Sequence, residues 1–151
     1  MKYLCFEQTL PITIEEAWNF FSSPKNLNLI TPPDVKFKIL NDVPEQITAG
    51  TMIYYQISPF LNLKFKWVTE ISVVSHHNHF FDEQRKGPYR IWHHEHYFTK
   101  TDSGVLMTDK VFYDIGKSVF GWMAGKLVVD KKVKNIFAFR RKKLEELFST
   151  K

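Results

Sequence analysis

The sequence contains a single cysteine, no long apolar run and no low-complexity segment. Cys5 by itself excludes an internal disulfide framework and a CxxC metal or redox motif. No stretch approaches the roughly 18 apolar residues needed to span a membrane, and the first residues contain no apolar signal-peptide segment. We therefore expect a soluble protein of the cytoplasm.

The chain also lacks a Gly-, Ser- or Pro-rich linker and an internal repeat. Its 151 residues predict a single domain, 1–151, of a size that buries roughly 68–70% of the surface of the unfolded chain. Aromatic residues are abundant, with 14 Phe, 6 Tyr and 4 Trp. Because such side chains dominate the contacts of cores and pockets, this excess must either be packed or face a ligand.

Positive charge is distributed unevenly. The net charge is +5, and the basic residues cluster near the C-terminus at Lys131, Lys132, Lys134, Arg140, Arg141, Lys142 and Lys143. On a helix such a cluster is most often the solvated face, so nucleic acid is not predicted as a partner. A membrane-docking lipid-transfer module is one alternative function, in which Phe120, Trp122 and these lysines make a weak contact with anionic lipid.

The hydrophobic pattern changes from strand to helix and back along the chain. Residues 2–10 alternate like a strand. Thr13 and Glu16 form a capping box that starts a short helix, and Ser23-Pro24 starts a second one. Alternation then predicts six further strands, at about 35–41, 51–58, 61–75, 78–86, 89–100 and 105–115.

Two of these patterns carry detailed expectations. In the segment 61–75 one parity is apolar and is expected to be buried, namely Leu61, Leu63, Phe65, Trp67, Ile71 and Val73. The last helical pattern runs from Ser118 to Ser149, with one apolar stripe at Val133, Phe137, Leu144 and Phe148. Gly121 and Gly125 weaken helix propensity near its start, which predicts a mobile end suited to gating a neighbouring cavity.

All six histidines lie between His76 and His96. The tract from Trp92 to Phe98 alternates like a strand, so Trp92, His94, His96 and Phe98 share one face. Two imidazoles between two large aromatic side chains are unusual for a plain core. The pattern favours a binding cavity with a polar floor.

The pairing of the last two strands follows from the turn at 101–104. If Lys100 pairs with Val105, the numbers in every pair sum to 205. Trp92 then lies opposite Tyr113, His94 opposite Val111, His96 opposite Asp109, and Phe98 opposite Met107. A carboxylate opposite an imidazole predicts that His96 and Asp109 are coupled.

The preceding turn, 86–89, leaves its register open. A bulge there decides whether His94 neighbours Phe81 or Asp82. Asp82 and Gln84 are therefore predicted as further members of the polar cluster.

The order of elements is that of the helix-grip fold: a strand, two short helices, six antiparallel strands and one long C-terminal helix. The chain resembles the START-like, or SRPBCC, superfamily, which includes birch-pollen-allergen-like proteins, START lipid-transfer domains and polyketide cyclases. Four motifs are similar to an uncharacterised bacterial branch of that superfamily: Phe81-Asp82-Glu83-Gln84, Gly87-Pro88-Tyr89, Trp92-x-His94-x-His96-x-Phe98 and Asp109-x-Val111-x-Tyr113. The resemblance implies an α+β fold, in which a curved seven-stranded antiparallel sheet and the helices enclose a cavity.

These observations predict a noncatalytic binder or carrier of a small hydrophobic molecule, such as a lipid, an isoprenoid or a polyketide-like compound. The expected walls of its cavity are Phe65, Trp67, Trp92, Phe98, Met107 and Tyr113. His94, His96 and Asp109 are expected to orient a polar group of the ligand.

Three other interpretations stay open. The aromatic residues could form a closed core in which His96 and Asp109 satisfy one another. A cyclase/dehydratase-type enzyme could use His94 or His96 with Asp109 as acid and base. A zinc site would need a third ligand, either Asp109 or a histidine of the 76–79 segment; no metal and no cofactor is predicted.

Overall fold

Seven antiparallel strands form one sheet in the computed structural model, which describes residues 1–58, 62–116 and 125–149. The strands are β1 (Lys2–Leu10), β2 (Lys38–Ile39), β3 (Met52–Ile57), β4 (Phe65–Ser75), β5 (His79–Lys86), β6 (Ile91–Thr101) and β7 (Gly104–Asp114). Their order across the sheet is β1-β7-β6-β5-β4-β3-β2. Apart from the first strand, each strand pairs with its neighbour in sequence, and β1 closes the sheet against β7.

The helices lie where the capping and periodicity signals place them. Helix α1 (Ile14–Phe21) begins at the predicted capping box, with Glu16 N donating to Thr13 Oγ1 and Thr13 N donating to Glu16 Oε2. Two 3₁₀ helices follow, Pro24–Asn28 and Pro33–Val35. The C-terminal helix, α2, spans Lys126–Phe148. The predicted α+β helix-grip architecture is confirmed.

The expectations for the start of the C-terminal helix fall on residues outside the described ranges. These are residues 118–124 of the predicted helix, the gating role of Gly121, and the membrane contacts of Phe120 and Trp122; the predicted buried position of Leu61 also falls outside the described ranges. Gly125, in contrast, is described and corrects the prediction, because it is the N-cap of α2 with a φ of 72° and not a residue inside the helix. None of the described helices is long and apolar enough to cross a membrane.

The apolar stripes of both helices pack on one face of the sheet. Trp18 of α1 is 1% exposed and meets Phe80 and Phe98 edge-on. From α2 the predicted stripe positions Val133, Phe137 and Leu144 are all buried, while Phe148 is partly buried against the main core. Helix and sheet therefore share one interior, and the space between them is the site of the cavity described below.

The predicted register of the last hairpin is confirmed. His96 pairs with Asp109, His94 with Val111, and every pair of β6 and β7 sums to 205. The hairpin is tighter than expected, since Thr101 and Gly104 themselves pair and only two residues form the loop. This register brings Asp109 to the centre of the inner face.

Two expectations about the segment 61–75 are wrong, as the structure of strand β4 shows. The strand begins at Phe65, and Leu63 before it is 39% exposed. A register shift between Ile71 and Val73 reverses the parity, so Val73 is 38% exposed instead of buried. The bulge ends the regular alternation that the sequence pattern assumed.

The strand predicted at 35–41 is also shorter than expected. The pair Pro32-Pro33 starts a 3₁₀ turn, and Lys36 adopts a left-handed φ of 51°. Because neither conformation continues a ladder, only Lys38–Ile39 pairs with β3.

Gly104 supplies a test of how β1 meets the β6–β7 hairpin. Its φ is +133°, and an added Cβ would lie 2.1 Å from the carbonyl oxygen of Leu10. We expect Gly104→Ala to lower the free energy of unfolding by about 3 kcal/mol or more, since strain and a backbone clash add. Gly50→Ala is the control, because Gly50 also has a positive φ but has open space around it. Equal losses in urea denaturation would contradict the role of the clash.

Candidate functional site

Three neighbouring strands bring four polar residues together on the inner face of the sheet. Asp82 of β5 pairs with His94 of β6, and His96 of β6 pairs with Asp109 of β7. His94, His96 and Asp109 are only 3%, 6% and 2% exposed. The structure therefore settles the open register at the β5–β6 turn in favour of Asp82 beside His94.

Each imidazole lies between the two carboxylates. Asp82 Oδ2 is 2.8 Å from His96 Nε2 and 3.3 Å from His94 Nδ1. Asp109 Oδ1 is 2.9 Å from His94 Nε2 and 2.9 Å from His96 Nδ1. The last contact is close but not aligned as a hydrogen bond, so His96 Nδ1 is buried without a hydrogen-bond partner among the described residues. The predicted contact between His96 and Asp109 is thus one of four contacts that join two histidines and two aspartates in a cluster.

Aromatic rings hold both imidazoles in place. Phe80 stacks on His96 with ring centroids 4.2 Å apart, and the His94 and His96 rings lie 3.8 Å apart. Phe137 of the C-terminal helix meets His94 edge-on at 5.5 Å. These contacts restrict tilting of the two ring planes, and hydrogen bonds to Asp109 and Asp82 hold the ring nitrogens.

Arg140 adds a cation to the cluster from the opposite layer. Its Nη1 lies 3.8 Å from Asp109 Oδ1, and its guanidinium carbon lies 4.8 Å from the centroid of the Phe137 ring. Nε of Arg140 is buried without a hydrogen-bond partner among the described residues. The C-terminal helix therefore contributes a fixed positive charge beside Asp109.

The electrostatics of the cluster favour charged forms. Burial alone would raise the pKa of Asp82 and of Asp109, but His94 and His96 outweigh it and hold both pKa values well below the ordinary range. Burial alone would lower the pKa of His94, but the two carboxylates outweigh it and raise that pKa. Both aspartates are therefore anionic at neutral pH.

An apolar cavity of about 170 Å³ lies between this cluster and the C-terminal helix. It is more than ten times the roughly 10–15 Å³ that one water molecule needs on the same measure. Asp82, His94 and His96 line it, whereas Asp109 does not and lies behind the two rings. These three residues give the sheet side of the lining a polar patch, and Lys132 and Arg140 add cationic side chains from the C-terminal helix; most of the remaining lining is apolar or aromatic.

The predicted wall of the cavity needs correction. Trp67 and Trp92 do line it. Phe98 and Met107 instead pack in the main core beside Trp18, and Tyr113 packs in a second cluster and donates to Asp130. These three share the inner face with the histidines, but they lie where the helices close directly on the sheet.

Two further predicted positions are also outside the cavity lining. Phe65 is partly buried against two core clusters. Gln84 closes the β5–β6 turn, since its Nε2 donates to the Tyr89 carbonyl oxygen at 2.6 Å and its Oε1 accepts from Tyr89 N. The amide of Gln84 is therefore used within the turn.

Several lining residues were not predicted. The most important is Arg140, which the sequence pattern assigned to the solvated basic cluster. It follows Val133 by seven residues and Phe137 by three, which places it on the buried stripe of the helix. That spacing was the available signal. Tyr55, Ile136 and residues around Phe20 lacked a comparable signal, because only the folded chain brings them to the cavity.

Comparisons with known proteins identify the fold. The chain matches no protein-family model and no curated protein. Solved structures match almost its whole length. A protein from Chromobacterium violaceum is 10% identical, with 100% of both chains covered and a TM-score of 0.75. A protein from Nitrosomonas europaea is 15% identical, with 97% of this chain and 94% of that chain covered and a TM-score of 0.69.

A third similar structure has a descriptive name. A START superfamily protein from Mycobacterium smegmatis is 11% identical, with 96% of this chain and 98% of that chain covered and a TM-score of 0.68. At such identities the similarity concerns the fold alone. The chain has the START-like, or SRPBCC, helix-grip fold, and the resemblance seen in the sequence is confirmed at that level.

Removing a carboxylate from the cluster tests its contribution to stability. Asp109→Ala leaves His94, His96 and Arg140 without their shared partner in a buried site. We expect a loss of about 3 kcal/mol in the free energy of unfolding, as is typical when one member of a buried ion pair is removed. Asp102→Ala, in the exposed hairpin turn, is the matched control and should change stability little. Equal unfolding midpoints for the two variants would show that the cluster is not stabilising.

The pH dependence of stability follows from the same groups. The pKa of His94 is raised by Asp82 and Asp109, with His96 and Arg140 as its other polar neighbours, so its contribution is complete below about pH 6.5 and declines as the pH rises through the folded value. The contributions of Asp82 and Asp109 are present above about pH 4 and decline at lower pH. We expect unfolding by urea to become easier on both sides of this window.

His94→Gln provides the control for the alkaline side. The variant should lose most of the decline above about pH 6.5, whose slope for one proton cannot exceed about 1.4 kcal/mol per pH unit. If the free energy of unfolding declined with the same slope in both proteins, His94 would not be the group responsible for the decline.

Proposed function

We propose that the protein binds or carries a small hydrophobic molecule in the cavity between the sheet and the C-terminal helix. The observation that carries this proposal is an apolar cavity with a polar cluster on one side, lined by Asp82, His94 and His96. Such a combination of apolar walls and a few convergent polar groups is typical of small-molecule sites. The ligand is therefore expected to be largely apolar, with one polar end.

The cavity argues against the alternative in which the aromatic residues and the histidines only form a closed core. A core at ordinary packing density has few voids larger than a water molecule, and this one holds about 170 Å³. Trp67 lines the space, and its indole Nε1 is buried without a hydrogen-bond partner among the described residues. The Trp67 ring therefore contributes apolar wall to the cavity, and its buried N–H group does not open onto that space.

The polar side of the cavity suits a hydroxyl, carbonyl or similar group at the end of the ligand. Asp82 can accept a hydrogen bond, and the imidazoles can donate or accept according to their protonation. Ligand chains extending from this end would lie against Trp67, Trp92 and Ile136. Their flat and branched surfaces favour a lipid, isoprenoid or polyketide-like molecule.

An acid–base enzyme of the cyclase/dehydratase kind is the second candidate. His94 and His96 line the cavity, and both lie within hydrogen-bond distance of a carboxylate. An imidazole oriented by a carboxylate is a common arrangement for moving a proton to or from a bound carbonyl compound. Binding comes first in either case, so the experiment below tests the step that the two candidates share.

Filling the cavity should abolish binding while the fold persists. Ile136 lines the cavity from the C-terminal helix, and Ile136→Trp adds a large ring to that space. Leu127→Trp is the matched control, since Leu127 lies on the same helix and is 83% exposed. In a titration with the fluorescent apolar probe anilinonaphthalene sulfonate, we expect saturable binding to the wild type. Ile136→Trp should weaken it by about tenfold or more, equivalent to about 1.4 kcal/mol, and Leu127→Trp should not.

Native mass spectrometry of the protein as purified provides a second measurement. A bound hydrophobic molecule should be present in the wild type and in Leu127→Trp, and reduced in Ile136→Trp. Equal probe binding by both tryptophan variants, with circular dichroism showing that both are folded, would place the binding elsewhere and contradict the proposal.

A further inference from the structure

The polar side of the cavity has the geometry of a metal centre. Asp82, His94 and His96 each offer one ligand atom, and these atoms lie within 4.8 Å of one another. We propose that these three side chains bind a divalent transition-metal ion, with its open coordination positions facing the cavity. This site goes beyond the proposed binding function, since the ion needs no hydrophobic ligand to bind.

The nitrogens on the Asp82 side are arranged to share an ion with that carboxylate. His94 Nδ1 and His96 Nε2 lie 3.3 and 2.8 Å from Asp82 Oδ2. Donor atoms bound to one zinc-like ion at about 2.0–2.1 Å are themselves about 3 Å apart. The two nitrogen-to-carboxylate separations are therefore already close to those of a coordinated set, and all three donor atoms lie within 4.8 Å of one another.

Asp109 occupies the position of an outer carboxylate. Its Oδ1 lies 2.9 Å from the remaining nitrogen of each ring, His94 Nε2 and His96 Nδ1. Metal-binding histidines almost always donate their other ring N–H to such an acceptor, which fixes the tautomer and the ring orientation. Asp109 thus faces the far side of both rings while Asp82 faces the side that lines the cavity. The buried Nδ1 of His96, which has no aligned partner among the described residues, belongs to this contact.

The charges and the surroundings also suit a cation. Asp82 and Asp109 carry two negative charges, and Arg140 near Asp109 supplies one fixed positive charge. With both imidazoles neutral, as metal ligands are, one negative charge is left for an ion to neutralise. Phe80 and Phe137 pack on the rings and exclude water from their sides. Two histidines and one carboxylate with open positions is a donor set used for zinc and for non-haem iron.

Isothermal titration of the chelator-treated protein with Zn²⁺ tests the proposal, and Co²⁺ absorption reports the coordination. We expect one ion per chain. His96→Gln and Asp82→Asn should each weaken binding by about 100-fold or more, since they remove an inner ligand while keeping side-chain size. Asp109→Asn should weaken it by about 10- to 100-fold, as an outer partner does.

The other histidines provide the control for adventitious binding. His76 and His77 lie next to each other away from the cavity, with ring centroids 3.9 Å apart. The double variant His76→Ala/His77→Ala should bind one ion as tightly as the wild type. The proposal is overturned if the wild type takes up no stoichiometric ion, if this double variant loses it, or if folded His96→Gln retains it. None of these results depends on anilinonaphthalene sulfonate binding, so the two proposals can fail separately.

Discussion

Two aspartates and two histidines compensate one another's charge on the inner face of the sheet, where His94, His96 and Asp109 are buried and Asp82 is partly buried. An isolated carboxylate in such an environment would be neutralised or exposed, because the loss of hydration is too large to leave uncompensated. Here each carboxylate contacts both rings, at distances between 2.8 and 3.3 Å. The pairing of β5, β6 and β7 must be correct to the residue for these contacts to form. A slip of one residue would turn the whole set to the outer face.

The cavity depends on this cluster and on the helix that faces it. The sheet supplies a polar side through Asp82, His94 and His96, and the C-terminal helix supplies Ile136 and Phe137 opposite. Where the same helix and α1 close directly on the sheet, around Trp18 and Phe98, the interior is an ordinary packed core. One inner face therefore serves two purposes along its length. The packed core around Trp18 and Phe98 holds the helices at a fixed distance from the sheet. Beside the polar cluster, that distance leaves the cavity between the sheet and the C-terminal helix.

Binding and metal coordination, as proposed, are compatible uses of one site. The aromatic packing on His94 and His96 fixes the rings before any ligand arrives, so little ordering is needed on binding. Asp109 lies behind the rings and outside the cavity, and Arg140, which lines the cavity from the C-terminal helix, supplies a compensating positive charge beside it. The polar end of a ligand could then coordinate an ion, exchange a proton or form a direct hydrogen bond at Asp82, His94 and His96. The apolar walls would hold the rest of the ligand.

Local regularities in the sequence determined the order of the elements, the capping of the first helix, the parity of the histidine strand and the register that pairs His96 with Asp109. Each of these depends on neighbours in the chain or on one short turn, so periodicity and turn geometry suffice. The tertiary structure decided four other features: the bulge in β4 that exposes Val73, the position of Asp82 next to His94, the partial burial of Arg140, and the packing of Phe98 and Met107 in the core instead of the cavity wall. These depend on how side-chain volumes from distant segments fill the space between two layers, and a one-dimensional pattern does not contain that information.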